Sequence, residues 1–109
     1  MQFSVLGCVY FNDNDLYFSE ALDSVFGQSL LPNEIVLVLD GPIPQNLETS
    51  ISVFKAKAQV QDIEFKIIRL AHNMGHGVAR QSGILNCKYD LVALIDADDI
   101  NYVDRFKLQ

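Results

Sequence analysis

Three carboxylates crowd into four residues at Asp96-Ala97-Asp98-Asp99, directly after the apolar run Leu91-Val-Ala-Leu-Ile95. Ionised side chains this close repel one another unless a cation or basic partner relieves them. Magnesium and manganese take oxygen ligands, and carboxylates on a turn at a strand end can converge on one such ion. The alternative is turn chemistry, with Asp99 capping a following helix, or a solvated acidic face. Placement straight after an apolar strand weighs against the solvated face. A calcium loop of the EF-hand kind fits badly, because Ile100 takes its fifth position and no glycine its sixth.

Arg80 is a second candidate, since a guanidinium offers a rigid fork of donors to a phosphate or a base; a surface salt bridge is the alternative. Gly75 and Gly77 precede it and let backbone approach a ligand. They do not make a G-x-G-x-x-G fingerprint, because Arg80 occupies the last position and the loop follows the third strand. His72 and His76 are four apart, but Asn73-Met-Gly75 between them disfavours the shared helix face that a zinc pair needs. No serine or cysteine stands in the context of an activated nucleophile. Cys8 and Cys87 lack C-x-x-C spacing; Cys8 reads as a small core residue, and both as reduced thiols of a cytosolic protein.

These residues must be carried by elements, and the hydrophobic periodicity supplies them. Phe3 to Tyr10 reads as a first strand, and Asn12-Asp-Asn-Asp15 as a turn able to cap a helix that starts at Leu16. That helix carries Phe18, Leu22, Val25 and Phe26 and stops around Gly27 to Ser29. Glu34 to Leu39 is a continuous apolar run, as in a central parallel strand covered on both faces. Leu47, Ile51, Phe54 and Ala58 mark a second helix, Glu64 to Leu70 a third strand, Val78 to Asn86 a third helix and Asp90 to Ile95 a fourth strand.

Right-handed crossovers place this alternation in a parallel sheet of order 3-2-1-4 with helices on both faces, an α/β three-layer sandwich. Val5, Val36, Val38, Ile67, Val92 and Leu94 are expected to be buried. Ligands of such sheets bind at the carboxyl ends of the strands. Tyr10, Asp40, the Leu70 to Gly77 loop and the acid cluster all reach that edge.

The 109 residues suit one domain, half of them apolar. A net charge of −6 argues against nucleic acid. It allows a nucleotide, whose phosphates a divalent cation can bridge to an acidic protein. No apolar run reaches the ~18 residues of a membrane span, and Met1-Gln-Phe-Ser4 lacks the basic start of a secretory signal.

Taken in order, several segments together resemble glycosyltransferase family 2, of GT-A fold. They are Ser4-Val-Leu-Gly-Cys-Val-Tyr10, Glu20-Ala-Leu-Asp-Ser-Val-Phe-Gly-Gln-Ser29 and Pro32-Asn-Glu-Ile-Val-Leu-Val-Leu-Asp-Gly-Pro42, then Asn73-Met-Gly-His-Gly-Val-Ala-Arg-Gln-Ser-Gly-Ile84, Ile95-Asp-Ala-Asp-Asp-Ile100 and Asp104-Arg105. Against the family's pattern, Leu39 replaces the first acid of a pair, Gln81 an Asn and Val103 a Pro, and Gly7-Cys8 lacks the common Pro.

The resemblance implies a nucleotide-sugar-binding domain over residues 1–109, the front part of an inverting, Rossmann-like transferase. Val9 and Tyr10 would line the nucleotide site, Asp40 would bind the base, and Arg80 would contact the base or diphosphate. Asp96 would approach the ribose or sugar, and Asp98, with Asp96, would ligate manganese or magnesium. Implied partners are a UDP-sugar donor and a saccharide or lipid-linked acceptor, at a cytoplasmic site peripheral to the inner face of the membrane. Family members run longer, so the catalytic base is expected beyond residue 109 and the 109 residues alone are expected to be inactive in transfer. An uncovered sheet edge beyond the fourth strand would then favour self-association. Two other classes share parts of the pattern. A receiver-type signalling domain would carry acids where Gly7 and Cys8 stand, and a non-catalytic nucleotide-binding or interaction module would keep the donor fold without turnover.

Overall fold

The computed structural model of the chain describes residues 2–96 and 106–108. Strands β1 (Ser4–Val9), β2 (Glu34–Leu39), β3 (Glu64–Arg69) and β4 (Leu91–Asp96) alternate with helices α1 (Asp15–Phe26), α2 (Gln45–Val60) and α3 (His76–Asn86). A short β5 (Phe106–Leu108) follows. The sheet runs β3-β2-β1-β4-β5, with the first four strands parallel and β5 antiparallel to β4. The parallel order is the one expected from the sequence. β5 was not expected, because Phe106-Lys-Leu108 is too short to carry a period. It covers the edge of β4 from Leu91 to Ala93, so the uncovered edge expected there is paired over those residues.

Alternation along β1 and β2 divides the core in two. Val5, Val9, Ile35, Leu37 and Leu39 face one way and pack with Phe18 and Leu22 of α1 and Leu47, Ile51, Phe54 and Ala58 of α2. Leu6, Cys8, Val36 and Val38 face the other way and pack with Val92 and with Ala79 of α3. Both central strands are buried at every position, which is why they read as unbroken apolar runs rather than alternating ones. Ile67 and Leu94, expected to be buried, are only half-buried. β3 forms one edge of the sheet, and α3 lies mainly over β1 and β2, so both side chains keep an open flank.

Local chemistry sets the helix ends. Asn14 Oδ1 accepts from the N–H groups of Leu16 (2.9 Å) and Tyr17 (3.1 Å), satisfying two donors that α1 cannot pair internally. α3 begins at His76, two residues before the expected Val78, because Gly75 takes φ +96° and turns the chain into the helix early.

At the amino edge of the sheet, opposite the ligand-binding edge, the fully buried Glu34 gathers its neighbours. Its Oε1 accepts from Ser4 Oγ (2.7 Å) and the Lys88 N–H (2.8 Å), and Lys66 Nζ lies 2.7 Å from Oε2. Burial alone would raise this carboxyl's pKa, but the contacts from Lys66, Lys88 and Ser4 outweigh it and hold the group below its usual range. Burial, with the Glu34 charge nearby, pushes the Cys87 thiol up to about 11.

Candidate functional site

The carboxyl ends of β1, β2 and β3 are laced together one residue past the strands. Asp40 N–H donates to Val9 O at 2.9 Å, and Leu70 N–H to Leu39 O at 3.0 Å. The chain leaving β2 then meets the loop leaving β3 backbone to backbone. Gly41 has φ +92°, and a Cβ there would stand 2.8 Å from Asn73 N, so both conformation and space require glycine.

Asp40 is 1% exposed. Its Oδ1 accepts from Met74 N–H at 2.7 Å and its Oδ2 from Gly75 N–H at 3.1 Å. Charge-assisted bonds to two amides are what allow a carboxylate to sit there. Asp40 therefore fastens the β3–α3 loop to the end of β2, and Gly75, held by that carboxylate, is the residue from which α3 starts. Asn73 Oδ1 also accepts from Gly75 N–H, at 3.1 Å.

Tyr10, the first residue after β1, is half-buried, and its N–H donates to Asp13 Oδ2 at 2.8 Å. Its ring stacks on His76, with centroids 5.8 Å apart and planes at 20°. Tyr10 Oη lies 2.6 Å from His76 Nδ1, and His76 Nε2 lies 2.6 Å from an Arg80 guanidinium nitrogen. A guanidinium can only donate. Nε2 is thus the acceptor, which leaves Nδ1 as the nitrogen that carries a proton and donates it to Tyr10 Oη. Burial, with Cys8 and Asp40 adding to it, raises the Tyr10 phenol far above its ordinary pKa, so it stays neutral.

Of the residues singled out in the sequence, Tyr10 and Arg80 are joined through His76 at this edge, and Asp40 holds the loop that leads into them. Val9 arrives there by its backbone only, since its side chain packs in the core. Asp96 ends β4, paired in register with Cys8 of β1. Asp98 and Asp99 lie outside the described residues. Among the described residues no group of three or more His, Cys, Asp or Glu side chains comes together as a metal site, and His72 is exposed. The sequence offers His76 only as a partner for His72. The signal for its real partner is the four-residue spacing from Arg80, legible once α3 starts at His76.

Residues 5–109 match the family described as Glycosyl transferase family 2. An uncharacterized glycosyltransferase of Haemophilus influenzae is 38% identical over all 109 residues, which span 39% of its length. The UDP-Gal:alpha-D-GlcNAc-diphosphoundecaprenol beta-1,3-galactosyltransferase of Escherichia coli is 35% identical over 97% of this chain and 37% of its own. S. aureus TarS 1-349, solved in complex with UDP-GlcNAc, superposes with a TM-score of 0.70 at 27% identity, over 92% of this chain and 27% of that one. The chain thus spans less than two-fifths of the curated relatives it matches.

Proposed function

The chain belongs to glycosyl transferase family 2, and we propose that it forms the nucleotide-sugar-binding part of an inverting glycosyltransferase whose donor is a UDP-sugar. The observation that carries this reading is the meeting of Tyr10, His76, Arg80 and the Asp40-anchored loop at the one sheet edge where the acid cluster begins. The UDP-sugar in the name of the E. coli relative and the UDP-GlcNAc bound to TarS support the choice of donor.

In this reading Tyr10 and the end of Val9 wall the base, and Arg80 faces the base or diphosphate. Asp40, expected from the sequence to bind the base, is 1% exposed and has both oxygens taken by the Met74 and Gly75 amides, so here it shapes the pocket from beneath through the loop it holds. Asp96 lies toward the ribose or sugar. The chemistry of the acid cluster suits a hard cation: Asp98 with Asp96 would hold manganese or magnesium, which when bound offsets charge on the departing diphosphate. The acceptor oxygen attacks the anomeric carbon from the face opposite the diphosphate. The bond from that carbon to the diphosphate oxygen breaks with its electron pair leaving on the nucleotide, so configuration inverts. The acceptor's proton passes to a base, a role to which none of the described residues is assigned. Arg80 adds fixed positive charge where negative charge accumulates.

The acceptor in this reading is a saccharide or lipid-linked sugar, and the diphosphoundecaprenol substrate named for the E. coli relative supports the lipid-linked form. In this reading the protein works in the cytoplasm, against the inner face of the membrane. No helix of the described residues is long and apolar enough to cross a membrane. The test is calorimetric titration of UDP with manganese or magnesium and again with EDTA, in the wild type and in Asp98→Ala. Affinity should be higher with metal in the wild type only. A metal effect of equal size in Asp98→Ala would show that this ligand is misassigned.

A further inference from the structure

His76 belongs to none of the roles assigned above, yet it is the hub of the site's side chains. It is the first residue of α3 and is exposed to solvent, so it has no part in the core. Its place is set from below, by the Asp40 carboxylate on Gly75 N–H and by the left-handed turn at Gly75. Both ring nitrogens are engaged, Nδ1 with Tyr10 Oη and Nε2 with Arg80. The two rings lie nearly parallel, their planes 20° apart.

We propose that His76 is a positioning residue: by bridging Tyr10 and Arg80 it holds the aromatic wall and the guanidinium in the arrangement that receives a nucleoside diphosphate. This rests on the donor-site reading above. A free arginine side chain samples many rotamers, and binding must select one. An arginine already tethered one helical turn from its anchor has lost that freedom beforehand, which is how preorganisation raises affinity. The tyrosine ring already packs against the core beside Cys8, and the His76 bond fixes where its hydroxyl points on the solvent side. One imidazole fixes both because it accepts on one side and donates on the other. With both nitrogens so used, His76 acts through its two neighbours and does not itself touch the ligand.

The bridge has a spectroscopic signature that a merely structural residue would lack. In long-range proton–nitrogen correlation spectra of the full chain at mildly alkaline pH, His76 should show the Nδ1–H tautomer. Arg80→Ala frees Nε2 and should move the ring toward Nε2–H. A wild-type His76 that is mainly Nε2–H overturns the proposal. The functional arm is UDP affinity by calorimetry with manganese. His76→Ala should bind about tenfold more weakly, the size expected for losing a net hydrogen bond or two. Tyr10→Phe, which removes only the hydroxyl, should weaken binding less, and the double variant should match His76→Ala rather than multiply the two losses. If the wild type binds UDP and His76→Ala binds it equally well, or if the two losses multiply, the positioning role is refuted while the donor site stands. If the wild type shows the Nδ1–H tautomer but binds no UDP, the donor-site reading itself fails, and the role of His76 falls with it.

Discussion

The Asp40 carboxylate, at the exit of β2, accepts a 3.1 Å hydrogen bond from the backbone N–H of Gly75, the residue that starts α3. The bond joins two turns that are 35 residues apart in sequence. Through it the placement of His76 and Arg80 depends on a side chain from another strand.

Asp40→Ala should therefore loosen the start of α3. It strands the N–H of Met74 and leaves that of Gly75 with Asn73 Oδ1 alone, and an unsatisfied buried donor costs roughly 1–3 kcal/mol. Water can reach this loop once the side chain is gone, so a loss near the lower end, about 1 kcal/mol, is expected in urea denaturation. Amide exchange at Met74 and Gly75 should accelerate more than at Leu37 or Val38. Uniform acceleration across the sheet would mean that Asp40 supports the whole fold rather than this loop.

Two glycines of α3 should respond oppositely to alanine. A Cβ on Gly83 would collide with Leu6 Cδ1 and stand 3.0 Å from Val38 Cγ2, whereas one on Gly77 meets nothing within 4 Å. Gly83→Ala should destabilise by roughly 1–3 kcal/mol, as overpacked cores do. Gly77→Ala should stabilise by about 0.5–1 kcal/mol, since alanine loses less backbone entropy in a helix. Thermal melts of the two variants beside the wild type decide this, and a shared sign would refute it.

Glu34 ties stability to pH. Its folded-state pKa lies below the ordinary value, so the folded state favours the ionised form. Its contribution is fully present above the unfolded pKa and is lost as pH falls through the folded one. Glu34→Gln should flatten that acid limb and cost about 1–3 kcal/mol at neutral pH, because Lys66 and Lys88 N–H lose a charged acceptor. Denaturant midpoints measured from neutral to acid pH for both proteins check it. An unchanged acid limb in Glu34→Gln would assign the pH dependence to other carboxylates.

Asn14→Ala removes the acceptor for Leu16 and Tyr17 N–H and should cost about 1 kcal/mol, the usual loss for a helix cap. Asn14→Asp, which keeps the acceptor and adds a charge that the helix dipole favours, should be neutral or better. Urea midpoints of the two variants are the readout, and equal losses in both would mean that the cap bond contributes nothing.

The chain's own residue types determined the order and direction of β1 to β4 and the edge at which the site lies. Unbroken apolar runs such as Ile35 to Leu39 suit strands covered on both faces, and the intervening helical periods call for parallel crossovers. The acid cluster, Arg80 and Tyr10 were legible because each breaks such a pattern at a strand or helix end. The tertiary structure alone decided what those residues touch. Asp40 could be placed at a strand end by sequence, but not its capture by the amides of Met74 and Gly75. His76 could be seen but not joined to Tyr10, which lies 66 residues away, and β5 carried too few residues to show a period. Periodicity is a local property that a short window of residues reveals. A hydrogen bond across two crossovers depends on where the sheet's register and the left-handed turn at Gly75 bring distant backbone, and that is settled only when the layers pack.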